Sequence, residues 1–442
     1  MIKKVLYSFI ISIYTLIFFS GNIITNSTNF NIDFEPACES LLLVNLDTDS
    51  TIYSKNADKR LSPASITKIM TFIIVSENVS DIENTTVTIK KTLLDSLLGT
   101  GSSLSGIKAN ETLSINQLLH CLLIKSGNDA AITLADFVGN GSVDKFVEMM
   151  NVKALELGCT DTHFMNPHGL HDDNHYTTAS DLIKITKYAM TLPNFVEITS
   201  KVTSYILGEN RYPLVTTNSL IDPIRGGKYY CKYVKGIKTG SDSVAGKCLV
   251  SSATAKGYTY LCVALGGFSP TENDAMLDSK RLYEWVFKNL ELKPILEKNK
   301  PLGETKLNLA FKKDSLQLFP SQDCSVLLPK NVNPSSVDIK LDIPNIVNAP
   351  IKSGQKIGTA TLSYANTVLS TIDLIATEDI SRSNTLFIVY IIKNIFSSIW
   401  FKIAITIATI LIALYIFYVF KINAHNKKKR KIMKIKKYKN KR

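Results

Sequence analysis

Eighteen consecutive uncharged residues, 403–420 (IAITIATILIALYIFYVF), lie between Lys402 and Lys421. As a helix this run would be about 27 Å long against a hydrocarbon core of roughly 30 Å, so it can span a membrane. Whatever precedes it must then fold on one side of that membrane. The formal net charge is +13, yet residues 421–442 hold 12 Lys/Arg and no acid, which leaves the rest of the chain close to neutral. Lysines directly behind a spanning helix read as a positive-inside signal rather than a nucleic-acid surface. We therefore expect a basic cytoplasmic tail, a folded part on the extracellular side of the cell membrane, and no nucleic-acid partner.

A second apolar run, residues 5–19 (VLYSFIISIYTLIFF), follows Lys3 and Lys4 and has the n-region and h-region of an export signal. No small-x-small site follows it. Residues 1–37 are thus expected to be either a signal peptide cut within 20–37 or an N-terminal anchor. Cys38, in FEPACES, lacks the apolar residue three before it that lipid attachment would want. Residues 386–401 (LFIVYIIKNIFSSIWF) put Lys393, Asn394, Ser397 and Ser398 on one side of a helix. The broad apolar face left over suits an amphipathic helix over 384–402 lying in the membrane interface, with Trp400 at headgroup level. A core helix of the preceding domain is the alternative. Seven cysteines without a CxxC give neither a disulfide nor a zinc framework. Cys121, Cys248 and Cys262 sit in apolar runs and read as small buried hydrophobes.

Between the two apolar ends, residues 40–60 read as a strand, a DTDS turn and a second strand. A helix should start near Pro63, with Ser65 close to its N-terminus. Apolar spacing of three and four predicts helices over 114–137, interrupted at KSGND (125–129), and over 143–157. Residues 158–181 carry too many turn formers to be an element, and Thr177, Thr178 and Asp181 are expected to cap the following helix. Strands return over 236–250 and 258–265, before a helix near 275–290. The first and last strands should share one sheet with helices inserted between them, giving a mixed α/β (α+β) domain, 38–295, with an all-helical lobe. Residues 296–380 change to short alternating stretches (KLNLAFKK, SVLLPK, DIKLDI), which predicts a small all-β domain.

The chemistry gathers at three short motifs. Ser65 and Lys68, in SPASITKIM, are one helical turn apart and can meet on one face. A serine hydroxyl is a poor nucleophile unless a neighbour takes its proton, and a lysine made neutral by burial and a nearby cation can do so. Alone, S-x-x-K is common and reads as a solvated helix start. Here it is followed by Ser126-Gly127-Asn128 and then by Lys238-Thr239-Gly240, the latter in a glycine-punctuated strand that another chain could approach closely. The order S-x-x-K, S-x-N, K-T-G in an exported chain is a far stronger signal than any one of them.

With these motifs the sequence resembles the low-molecular-mass penicillin-binding proteins, the serine-type D-alanyl-D-alanine carboxypeptidases. The blocks NADKRLSPASITKIMT, LLIKSGNDAAITLADFVG, MNPHGLHDDNHYTTASDL and GIKTG carry the resemblance across residues 39–290. APIKSGQKIGTATLSY, at 349–364, resembles the family's C-terminal β domain. The resemblance implies a penicillin-binding, β-lactamase-like transpeptidase fold. It also implies removal of the terminal D-alanine from peptidoglycan stem peptides ending in D-Ala-D-Ala, inhibition by β-lactam antibiotics, and no cofactor.

It further implies roles for matching positions. Ser65 would attack the carbonyl between the two D-alanines with Lys68 as general base, and Ser126 would relay a proton to the departing D-alanine. Asn128 would hold the substrate amide and Lys68; Lys238, with Thr239 and Gly240, would receive the terminal carboxylate. The oxyanion would lie between the backbone N–H groups of Ser65 and Ser241, where such donors are worth about 2.7–4 kcal/mol each. Relatives mostly end in an amphipathic anchor, whereas this chain adds a full span and a basic tail.

His163, His168, His171 and His175, with Asp172 and Asp173, crowd one loop, but none of the histidines forms a helical H-x-x-x-H beside a third ligand. No metal site is expected. A class A-like β-lactamase would want Asp in the second triplet and a Glu in the 158–181 loop, and this chain has neither. A transpeptidase with the same acyl-enzyme stays open, because an acceptor site leaves no short motif. A non-catalytic wall-binding protein would be expected to have lost a triplet.

Overall fold

The computed structural model describes residues 30–207, 211–365 and 367–439, so the apolar run at 5–19 lies outside the described residues. The chain forms two compact units. The first comprises the described residues up to Ile295 together with 324–340 and 361–371; the second comprises 296–323, 341–360 and the described residues from 372 onward.

In the first unit an antiparallel sheet runs, in spatial order, Ser50–Lys55, Ser40–Asn45, Tyr258–Gly267, Gly246–Ala255 and Val234–Asp242. The first and last strands of the region therefore do share one sheet. The run expected over 236–250 is two strands, split by a turn in which Asp242 Oδ1 accepts from the N–H groups of Val244 and Ala245. Side chains alternate across the pleat. Leu42, Val44, Val250, Leu261 and Val263 join the core under the helical lobe, while Leu41, Leu43, Leu249, Tyr260 and Cys262 join the core under the helix Asp274–Asn289. With both faces buried, these strands read as continuous apolar runs rather than as alternation.

The central helix, Lys68–Asn78, is buried at every position from Lys68 to Val75. A helix apolar on all sides has to be a core helix, and this one carries the lysine inside. It is entered through a 3-10 turn, Ala64–Thr67, rather than through α-helix as expected. Ala64 itself is held at φ 45°, outside both the α and the 3-10 range, so no regular helix runs through Pro63 and Ala64. The helix Ile115–Leu123 opens on a capping box of Ser114 and Gln117, and the helix Asn128–Val138 follows after the break at KSGND, where Ser126 takes φ 62°. Thr178 caps the helix Ala179–Thr191, but Thr177 does not contribute: its backbone pairs with Leu61 instead. All seven cysteines are buried free thiols.

In the second unit, Gly303–Asn308 pairs antiparallel with Ser315–Pro320 and parallel with Ile346–Asn348, around a small core that includes Leu307, Leu316, Leu318 and Leu374. The helix expected over 384–402 ends earlier: Asn384–Ser397 is closed by Ser398 in extended backbone, and Trp400 belongs to the next helix, Ile399–Lys439. Ser397 Oγ bonds back to the carbonyl of Lys393, a serine habit that bends or ends helices. Ile399–Arg430 is, among the described residues, the one helix long and apolar enough to cross a membrane.

Candidate active site

Three elements of the first unit converge: the turn carrying Ser65, the break between two helices carrying Ser126 and Asn128, and the edge strand Val234–Asp242 carrying Lys238. Glycine makes the approach possible. A Cβ on Gly240 would stand 2.8 Å from the Pro63 carbonyl and 3.2 Å from Ala64 Cβ, so the strand lies against the Ser65 turn with no room for a side chain. A Cβ on Gly169, at φ 87°, would stand 1.9 Å from the Ala64 carbonyl, which brings the 158–178 loop to the same turn.

Lys68 is fully buried, and its Nζ lies 2.8 Å from Ser65 Oγ, 2.7 Å from Asn128 Oδ1 and 2.7 Å from the His168 carbonyl oxygen. Burial holds its pKa well below the ordinary lysine value, and the nearby Lys238 pushes it the same way, against a smaller upward pull from Asp129. A neutral amine has two protons and one lone pair. Neither the His168 carbonyl nor Asn128 Oδ1 can donate, so they take the two protons. The lone pair is left for Ser65, whose hydroxyl is the only one of the three partners able to donate.

Lys238 is also buried, 2.9 Å from Ser126 Oγ and 2.8 Å from the Thr239 carbonyl, with its pKa pushed down by burial to about 7. Thr239 is half-buried and its hydroxyl meets that of Thr217; Ser241 is exposed, with Lys247 Nζ 3.3 Å from its hydroxyl. Lys68, Ser65 and Asn128 thus stand in one hydrogen-bonded group, and Ser126, Lys238 and Thr239 in a second.

Several members left no motif in the sequence. Ser102 Oγ accepts from Asn128 Nδ2 at 3.0 Å, and the Ser103 carbonyl accepts from the Asn128 N–H at 2.8 Å. Buried Asp129 pins that loop by accepting from the Ser105 and Gly106 N–H groups at 2.9–3.0 Å. His168 acts through its carbonyl, for which no side chain could have been a signal.

The histidine-rich loop is structural in its geometry. Burial, with smaller pushes from Lys68 and His175, takes His168 down to about 3, and burial takes His175 down to about 4, so both rings are neutral near pH 7. His175 Nδ1 accepts from the Met165 N–H at 3.1 Å, which leaves its Nε2–H to donate to Thr67 Oγ1 at 2.8 Å; Thr67 in turn donates to the Ala64 carbonyl at 2.8 Å. Exposed His171 pairs with Asp173 at 3.4 Å. Among the described residues no group of three or more His, Cys, Asp or Glu is placed to hold a metal ion.

Residues 26–269 match the family described as D-alanyl-D-alanine carboxypeptidase, and residues 290–382 match the C-terminal domain of penicillin-binding protein 5. The chain is 29% identical to the D-alanyl-D-alanine carboxypeptidase DacF of Bacillus subtilis (strain 168), over 86% of this chain and 95% of that one. Among solved structures, penicillin-binding protein 5 of Haemophilus influenzae is 28% identical with a TM-score of 0.68, covering 80% of this chain and 100% of its own. The Streptomyces K15 DD-transpeptidase is 29% identical with a TM-score of 0.53, covering 59% of this chain and 99% of its own. A family match over more than half the chain, on a fold that gathers a buried lysine against a serine hydroxyl, leads to one conclusion: the chain belongs to the serine-type D-alanyl-D-alanine carboxypeptidases.

Proposed function

We propose that this protein removes the terminal D-alanine from peptidoglycan stem peptides through an acyl-enzyme on Ser65. The observation that carries this reading is the Lys68 amine, 2.8 Å from Ser65 Oγ, with its other two partners being acceptors only. Ser65 Oγ attacks the carbonyl between the two D-alanines and its proton goes to Lys68 Nζ. Backbone N–H groups of Ser65 and Ser241 receive the oxyanion. The C–N bond then breaks: Ser126, whose hydroxyl Lys238 holds, gives its proton to the departing nitrogen and is reprotonated by the Lys68 ammonium, which returns to the neutral amine. Water next attacks the ester and gives a proton to Lys68, which hands it to Ser65 Oγ as the acyl C–Oγ bond breaks, and the shortened peptide leaves with a new carboxylate. Asn128 holds the substrate amide, and Lys238 with Thr239 and Gly240 receives the terminal carboxylate. A β-lactam opens on the same serine and stops there.

Residues 38–295 are the catalytic domain and 296–380 the β domain in this reading. The span at 403–420 anchors them to the cell membrane, with the catalytic domain outside and the 421–442 tail in the cytoplasm.

The test is release of free D-alanine from an N-acylated tripeptide ending in D-Ala-D-Ala by the full chain in detergent, with Ser65→Ala as control. Ser65-dependent release is expected; none from folded protein would refute a hydrolase. The likeness to a protein named a DD-transpeptidase favours one further reading, that an amine competes with water for the ester. Adding glycylglycine to the same assay would then convert released peptide into a peptide product, whereas unchanged hydrolysis would reject it.

A further inference from the structure

The proposed base depends on one peptide unit. Lys68 Nζ gives one of its protons to the His168 carbonyl, 2.7 Å away. The other end of that same planar unit is the N–H of Gly169, which points the opposite way. It donates to Asn166 Oδ1 at 2.7 Å; the same oxygen takes the His168 N–H at 3.3 Å, and Asn166 Nδ2 donates to the Leu170 carbonyl at 2.8 Å. Asn166 therefore grips one end of the peptide while Lys68 occupies the other. Such a grip matters here because residue 169 is glycine, at φ 87° and with no room for a Cβ, and a peptide that precedes glycine turns over most readily. Turned over, it would present an N–H to Lys68. The amine would then lose an acceptor, gain a donor, and swing its lone pair off Ser65. Lys238 and Asp129 act on Lys68 by charge, but neither of them fixes this direction.

We propose that Asn166 is a positioning residue for acyl transfer: it locks the His168–Gly169 peptide with its carbonyl toward Lys68, and so aims the lone pair of Lys68 at Ser65. The proposal rests on the base role given to Lys68 above.

The test follows acylation of the full chain in detergent by a fluorescent penicillin, separating the saturating rate constant from the dissociation constant of the initial complex. Asn166→Ala should lower the rate constant by about tenfold or more while the dissociation constant stays within about twofold. Asn166→Asp, which still accepts from the Gly169 N–H, should recover most of the rate. Asn151→Ala is the comparison, since Asn151 ties the same loop at Phe164, with bonds of 2.8 and 2.9 Å, without reaching Lys68. It should lower the melting temperature and spare the rate. Wild-type acylation by Asn166→Ala, or parallel losses of rate in Asn166→Ala and Asn151→Ala without recovery in Asn166→Asp, would overturn the proposal. If Asn166→Ala does not fold, Asn166→Ser serves: its shorter hydroxyl cannot grip both N–H groups, so a rate between those of wild type and Ser65→Ala is expected and a wild-type rate is fatal. Failure of the wild-type chain to be acylated at Ser65 would instead sink the function proposed above.

Discussion

Two lysines share one buried pocket, and the proton cannot be equally comfortable on both. Burial and the neighbouring cation together hold Lys68 well below the ordinary lysine value, while burial alone takes Lys238 to about 7. The proposed mechanism asks for a neutral amine at Lys68 and a cation at Lys238. Lys68→Arg should abolish acylation, since a guanidinium stays charged and cannot take the serine proton; retained penicillin labelling would contradict the base assignment. Ser65→Ala should cost about a thousandfold or more in D-alanine release. The pH dependence separates the two lysines. As pH rises through about 7 the free enzyme loses the Lys238 charge, so kcat/KM for a peptide with a free terminal carboxylate should fall. For a substrate whose terminal carboxylate is amidated, that descending limb should be absent. A limb of equal size with both substrates would take the carboxylate away from Lys238. Of this chemistry, the side chains of the three triplets were legible in sequence because each is a local pattern. The His168 carbonyl and the Ser102 hydroxyl were not, since the fold alone brings them to Lys68 and Asn128.

Elements hold these residues by close approach rather than by long side chains. Gly240→Ala would drive a methyl group to 2.8 Å from the Pro63 carbonyl, so the edge strand or the Ser65 turn must move. Penicillin acylation should fall by about tenfold or more with little change in melting temperature; an unchanged rate would mean that strand and turn need not touch. The 158–178 loop adds a dependence on acid. His175 is 2% exposed and takes a proton only near pH 4, against about 6.5 when unfolded. The neutral ring belongs to the native state, so its contribution is complete above pH 6.5 and declines as pH falls toward 4. From pH 7.5 to 5.0 the loss is about 2 kcal/mol from this ring. A urea midpoint that falls over this range in the wild type, and falls less in His175→Gln, is the expected result; equal falls would place the sensitivity elsewhere. Long elements such as Asn128–Val138 and Tyr258–Gly267 were legible because burial of whole faces writes itself into ten or more residues. The paired strands Thr86–Thr88 and Thr112–Ser114 were not, because three residues carry no period.

At the scale of the whole molecule the chain offers a bilayer three means of attachment, and they differ in physics. The helix Ile399–Lys439 offers an apolar span, its basic end offers charge, and the separate helix Asn384–Ser397 offers an exposed apolar face. Attraction between lysines and anionic lipid is screened within roughly 3 Å at 1 M salt, whereas burial of an apolar span is not. The full chain should therefore stay with membranes through a 1 M salt wash and leave only in detergent. A chain ending at residue 402 keeps the shorter helix and Trp400 but loses the span. If Asn384–Ser397 lies in the interface, that shortened chain should still bind vesicles of neutral lipid, reversibly and more weakly than the full chain. If it floats free of such vesicles, the span is the whole anchor. Release of the full chain by salt would leave charge as the attachment, and the tail would then belong outside the bilayer's apolar core.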